Sequence, residues 1–130
     1  METVALLLTA ALFGGMVLYS AGFAGFLFSV LPPDTAGASL RRAFPVFYLL
    51  VIATSLAAAF FAWSSDLWSA IWLGLIALTT LPTRQLLMPA INLASDNGNK
   101  RKFGVLHGLS VLVTLLHIVV AGWVLARFLS

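Results

Sequence analysis

The chain has 130 residues, 62% of them hydrophobic and only 8% charged, with a mean hydropathy of +1.07. Soluble domains are about 45–50% apolar and about 25% charged, so a single domain of this length cannot hide its apolar surface in one core, and most of that surface must meet lipid. The net charge of +3 does not mark a nucleic-acid binder, because the seven Lys and Arg residues fall mainly between apolar runs; with no cysteine, disulfides, thiolate metal sites and Cys nucleophiles are excluded.

The first apolar run extends from about residue 4 to 31 and is longer than the ~20 residues that cross a bilayer. Met1-Glu2-Thr3 lacks the basic start of a signal peptide, so this run is expected to remain as a membrane helix. Ala10/Gly14, Ala11/Gly15 and Ala21/Gly25 are spaced four apart, which predicts close helix packing, with Gly14 and Gly15 at the contact. Pro32-Pro33 stops the helix. Asp34 or Thr35 is then placed to cap a short interfacial helix ending near Ala43, with Arg41 and Arg42 as anchors.

A second span is predicted over about 44–63, with Pro45 in its first turn. Thr54 and Ser55 are its only mid-membrane polar groups, and such hydroxyls usually bond their own helix. Ser64-Ser65-Asp66 forms a turn, with Asp66 as N-cap of a third span over about 67–94. Pro82 and Pro89 should distort its second half. Arg84 lies 18 residues past Asp66, about 27 Å along a helix, so it reads as a third interface anchor, reaching the far surface by snorkelling. Residues 96–102 are the most polar stretch and form a loop.

The fourth span, about 103–128, carries His107, Ser110, Thr114 and His117 within an arc of about 80°, a face that should point into the bundle. Gly104 and Gly108 form a G-x-x-x-G on a nearby face and are expected to receive another helix. The predicted fold class is therefore all-α: an integral membrane four-helix bundle with a short interfacial helix after the first span. Arg41, Arg42, Arg84, Lys100, Arg101 and Lys102 share one side and only Arg127 lies opposite, so the basic loops are expected in the cytoplasm and both termini outside. Trp63, Trp68, Trp72 and Trp123 would form a belt at the outer surface.

Three motifs carry a resemblance. GMVLYSAGFAGFLFSVLPPDTAG with FPVFY (residues 15–48), TRQLLMPAIN (83–92) and FGVLHGLSVLVT (103–114) resemble, in this order and spacing, the transmembrane protein 205-like proteins, small four-helix membrane proteins whose bacterial members are mostly a domain of unknown function. The match implies Phe44, Pro45, Tyr48, His107, Gly108 and Ser110 as motif positions. Thr114 stands where that family tends to carry Asn, and Met88 where an acidic residue can precede the helix-3 proline. The family is distantly similar to copper-resistance D proteins and to a haem-pathway membrane oxidase, which suggests a metal or haem ligand; helix 1 here has no His.

Apart from the two histidines, no ionisable residue is expected deep in a span, so neither catalytic residues nor an enzyme is expected. One reading is a bundle that binds or moves a small ligand, a metal or tetrapyrrole, through His107, Ser110, Thr114 and His117. Its competitor makes each imidazole a structural bond to a neighbouring helix. The alternative function is an accessory subunit of a larger membrane complex or a homo-oligomer. The expected partners are the lipid bilayer and, in that alternative, copies of the chain or other membrane subunits, with no nucleic acid, and a bacterial inner membrane is the expected location.

Overall fold

The computed structural model describes residues 1–130 and consists of four long helices joined by tight turns: α1 (Glu2–Val30), α2 (Pro33–Ala62), α3 (Leu67–Asp96) and α4 (Lys100–Leu129). Each is long and apolar enough to cross a bilayer, so the protein is a multi-pass membrane protein. Such helices satisfy every backbone polar group internally, which a hydrocarbon environment demands. The bundle runs up-down-up-down. α2 packs on α1 and α3, and α4 packs on α3 and closes the ring against α1. Large apolar side chains such as Leu7, Phe60, Leu86, Val105 and Val119 stand exposed around the outside, where lipid would cover them.

Two sequence expectations change in α2. The interfacial helix and the second span are one continuous helix, and Pro45 lies inside it rather than in its first turn. The helix starts on Pro33, with no side-chain cap from Asp34 or Thr35. Proline at this first-turn position suits a helix start, since its missing N–H has no partner there anyway. Pro45 leaves Arg41 O, one turn back, without its intrahelical donor, and side chains of the neighbouring helices bond carbonyls nearby. Tyr19 Oη donates to Ala43 O at 3.1 Å, and Arg84 Nε donates to Pro45 O at 3.0 Å.

Both donors stand on wide, π-helical turns, Leu18–Phe23 in α1 and Thr83–Leu87 in α3. The second lies between Pro82 and Pro89, so the expected distortion takes the form of an extra residue in the turn. Arg84 is thus partly buried and braced on α2, with a further bond from Nη1 to Gln85 Oε1, rather than an anchor reaching freely to the interface.

The core corrects the glycine expectations. Its thirteen residues include Ala5, Ala58, Ala62, Ala70 and Ala121, and the buried Thr9, Ser55 and Thr80 hydroxyls donate to carbonyls one turn back at 2.6–2.7 Å. Small side chains bring the helices together as expected of membrane interfaces, but they are alanine, serine and threonine. Gly14, Gly15, Gly104 and Gly108 all face outward, with no atom within 4 Å of an added Cβ. The geometry explains it: the inward face of α4 holds Ser110, and Gly104 and Gly108 lie roughly 120–160° around the helix from it. The glycine that meets a neighbour is Gly122, where a Cβ would lie 3.0 Å from Phe13 Cε2.

The tryptophan end is tied by charge. Asp66 caps α3, accepting from Ser69 N at 3.2 Å, and also holds Arg127 through Nη2 at 2.9 and 3.0 Å and Nε at 3.1 Å. Arg127 lies over Trp123 at 5.0 Å from the ring centre, and Trp123 meets Trp72 edge-on at 6.1 Å. At the opposite end, Gly98 adopts φ +66°, the left-handed conformation glycine favours, and turns the chain into α4. Asn99 caps that helix by accepting from Lys102 N.

Candidate functional site

At the Gly98 end, the helix ends splay around a crevice of about 640 Å³. Phe28 of α1, Leu40 and Phe44 of α2, Met88 and Ile91 of α3 and Phe103 of α4 give it apolar walls. Polar groups interrupt them: Asp34, Arg41 and Tyr48 from α2, Asn92 and Ser95 from α3, His107 and Ser110 from α4. Ser110 is ten residues into α4, so the crevice reaches about 15 Å along that helix. Pro45 and the π turn of α3 adjoin its walls, beside Phe44 and Met88.

His107 is the central polar group. Its ring stacks parallel on Phe103, with centres 5.5 Å apart and planes 4° from parallel. The helix spacing i, i+4 creates that stack. It fixes the ring plane while leaving both nitrogens without a protein partner, open to the crevice. Ser110 is buried and spends its proton on His107 O at 2.7 Å. Tyr48 is 7% exposed and forms part of an aromatic cluster with Phe44 and Phe47, with Thr114 beside its hydroxyl. Arg41 reaches across the mouth and makes a two-pronged pair with Asp96, both bonds 2.7 Å.

The four residues of the predicted polar stripe are therefore divided. His107 and Ser110 line the crevice, His107 standing exposed at its wall rather than packed into the bundle as the stripe predicts, and Thr114 lies next to Tyr48 deeper in the bundle. His117 stands apart, with Nε2 2.7 Å from Thr79 Oγ1 on α3. The Thr79 hydroxyl also lies 2.7 Å from Leu75 O, and its single proton satisfies that carbonyl. The bond to His117 then takes its proton from Nε2–H. His117 is thus bonded to a neighbouring helix, as one of the two sequence readings expects. Ten residues separate it from His107, about 15 Å along the helix, far beyond the ~2 Å reach of metal–imidazole bonds. No three His, Asp or Glu side chains converge anywhere to hold a metal ion.

Asn92, Ser95 and the Arg41–Asp96 pair join the site without having been singled out for it. Asn92 had a signal, since it closes the TRQLLMPAIN motif. The Arg41–Asp96 pair had none, since its partners lie 55 residues apart on different helices.

Known proteins add one finding to this geometry. The family described as a domain of unknown function, DUF4149, matches residues 7–100. The chain belongs to that family. The matched stretch covers almost all of α1, all of α2 and α3, and stops at the first residue of α4, so His107 and Ser110 lie beyond it. No curated protein and no solved structure matches the chain.

Proposed function

We propose that this DUF4149 protein is a non-enzymatic membrane protein that binds a small ligand in the basic-end crevice, with His107 as its polar contact. The observation that carries the reading is an imidazole held by Phe103, with both nitrogens free, in a partly apolar crevice of about 640 Å³. Pockets of about 300–1,000 Å³ with few polar groups among apolar walls are the usual form of small-ligand sites. The resemblance of the FPVFY and HGLS motifs to transmembrane protein 205-like proteins, and more distantly to copper-resistance D proteins, suggests a metal or tetrapyrrole, although Thr114, Met88 and a first helix without His remove polar capacity that such a ligand would use. A bare ion suits these residues poorly, because His107 has no second imidazole or convergent carboxylates beside it. A metallo-tetrapyrrole asks the protein for one axial imidazole and apolar walls, which the crevice offers.

The test is purification in mild detergent, followed by a visible spectrum and metal analysis for wild type, His107→Ala and His117→Ala. His107→Ala is expected to lose any bound chromophore while still folding, its melting temperature falling by no more than the bound ligand contributed. His117→Ala is expected to keep the ligand and lose about 0.5–1.7 kcal/mol of stability, the range for a single interhelical bond in a membrane. Retention of ligand by His107→Ala, or its loss only in His117→Ala, overturns the assignment.

We further propose that the crevice faces the cytoplasm of a bacterial cell. Six basic side chains against Asp34 and Asp96 mark this end, and Arg127 against Glu2 and Asp66 the other. Reporter fusions at Ser130 and between Asp96 and Lys102 check it; a C-terminal fusion active only in the cytoplasm reverses the topology.

A second reading, a subunit of a homo-oligomer or larger complex, is favoured by the outward faces of Gly14, Gly15, Gly104 and Gly108, which no helix of this chain uses. A native mass well above the 13.9 kDa chain in its detergent micelle would support it.

A further inference from the structure

We propose that the crevice takes an amphipathic anion, a carboxylate or phosphate head on an apolar body, and that the head competes with Asp96 for Arg41. The proposal rests on the ligand-binding reading above and names the ligand class.

Three features of the crevice converge on this class. Its wall offers Phe28, Phe44, Met88, Ile91 and Phe103, which reward an apolar body and give a fully polar anion nothing to bury against. Its mouth holds Arg41, whose planar fork binds carboxylate and phosphate two-pronged. Its surroundings carry six basic side chains against two acidic ones, a field that draws anions to this end of the bundle.

The Arg41–Asp96 pair sets how the head binds. Arg41 is 41% exposed and Asp96 55%. Pairs this open to water are worth about 0–1 kcal/mol, so an incoming head exchanges for Asp96 at little cost. The exchange keeps the guanidinium at the mouth and adds the burial of the ligand's apolar body against the crevice walls, which the Asp96 pair does not provide. In the unliganded protein Asp96 keeps Arg41 occupied. It therefore acts as a competitor that weakens binding without forbidding it.

The probes are dodecyl phosphate and the neutral dodecyl glucoside, added to the full chain in maltoside micelles and counted as bound species by native mass spectrometry. The expected result is a preference of about ten-fold for the phosphate, equivalent to about 1.4 kcal/mol. Arg41→Gln should bring the ratio close to one, and Asp96→Asn, which leaves Arg41 in place, should raise it. The Asp96 variant keeps the question decidable if Arg41→Gln fails to fold. Phosphatidylglycerol in nanodiscs then distinguishes the sources of the same chemistry. Displacement of bound dodecyl phosphate assigns the head to a bilayer lipid, and failure to displace it assigns the head to a free amphiphile. Equal binding of both probes by wild type, an unchanged preference in Arg41→Gln, or weaker phosphate binding in Asp96→Asn overturns the proposal. If the probes bind equally and His107→Ala loses both, the ligand-binding reading stands and only the anion assignment falls.

Discussion

Asp66→Ala is expected to destabilise the bundle by about 2–3 kcal/mol, more than any other single exchange of a charged residue. One carboxylate performs two tasks there. It caps α3 through Ser69 N, a cap worth about 1 kcal/mol, and it holds Arg127 by charge-assisted bonds from both Nε and Nη2. The side chain is 19% exposed, so the ion pair is better sheltered than that of Arg41 and Asp96. Removing it also leaves the Arg127 guanidinium over Trp123 without its carboxylate. Asp66→Asn separates the two tasks, because an asparagine still caps a helix; it should lose roughly half as much. Unfolding in detergent by heat or by denaturant measures all three chains. An Asp66→Ala protein as stable as wild type would show that this end is held by apolar packing alone.

The same carboxylate gives the stability a pH dependence. The Arg127 hydrogen bonds, aided by Ser69, hold the Asp66 carboxyl at about 2, below its ordinary 3.8. A depressed acid stabilises the fold fully above its unfolded value and loses that contribution as pH falls through its folded value. The Asp66 share should therefore be intact above about pH 5 and decline between about pH 4 and pH 2, by about 1–2 kcal/mol after allowance for solvent screening. Asp66→Ala should lack that part of the acid response.

The features visible in the sequence were those set by neighbours along the chain. Hydropathy over 20 residues placed the four spans, local turn chemistry placed the Asp66 cap, and helical periodicity put Ser110 and His117 on the inward side of α4. Features set by distant residues were not visible. Asp66–Arg127 spans 61 positions and Arg41–Asp96 spans 55, and no local pattern announces either. α2 runs on through Pro45 and packs on both α1 and α3, contacts that lie outside any local pattern, so the proline alone misleads. Both π turns carry a side chain that bonds the backbone of α2, again a pairing of distant residues. The crevice emerges only when four helix ends are assembled, although His107 and Tyr48 were already marked by the motifs that carry them.

The glycines show the same divide. Gly122→Leu is expected to destabilise the fold by about 1–3 kcal/mol, the usual cost of overpacking a filled contact. Even a Cβ at this position would stand 3.0 Å from Phe13 Cε2, and the remaining leucine atoms would force α4 away from α1. That contact closes the ring of four helices, so the loss falls on the whole bundle. Gly108→Leu puts the same atoms on α4 but meets nothing within 4 Å, so the isolated chain should change by no more than about 0.5 kcal/mol. A G-x-x-x-G spacing records that a face is smooth, not that a helix lies on it. Melting both variants in detergent decides the matter: a stable Gly122→Leu, or a Gly108→Leu that unfolds as a monomer, would place α4 in a different rotation. If Gly108→Leu melts like wild type yet loses a higher native mass that wild type shows, the smooth face belongs to a contact between chains, and α4 serves the bundle on one side and a partner on the other.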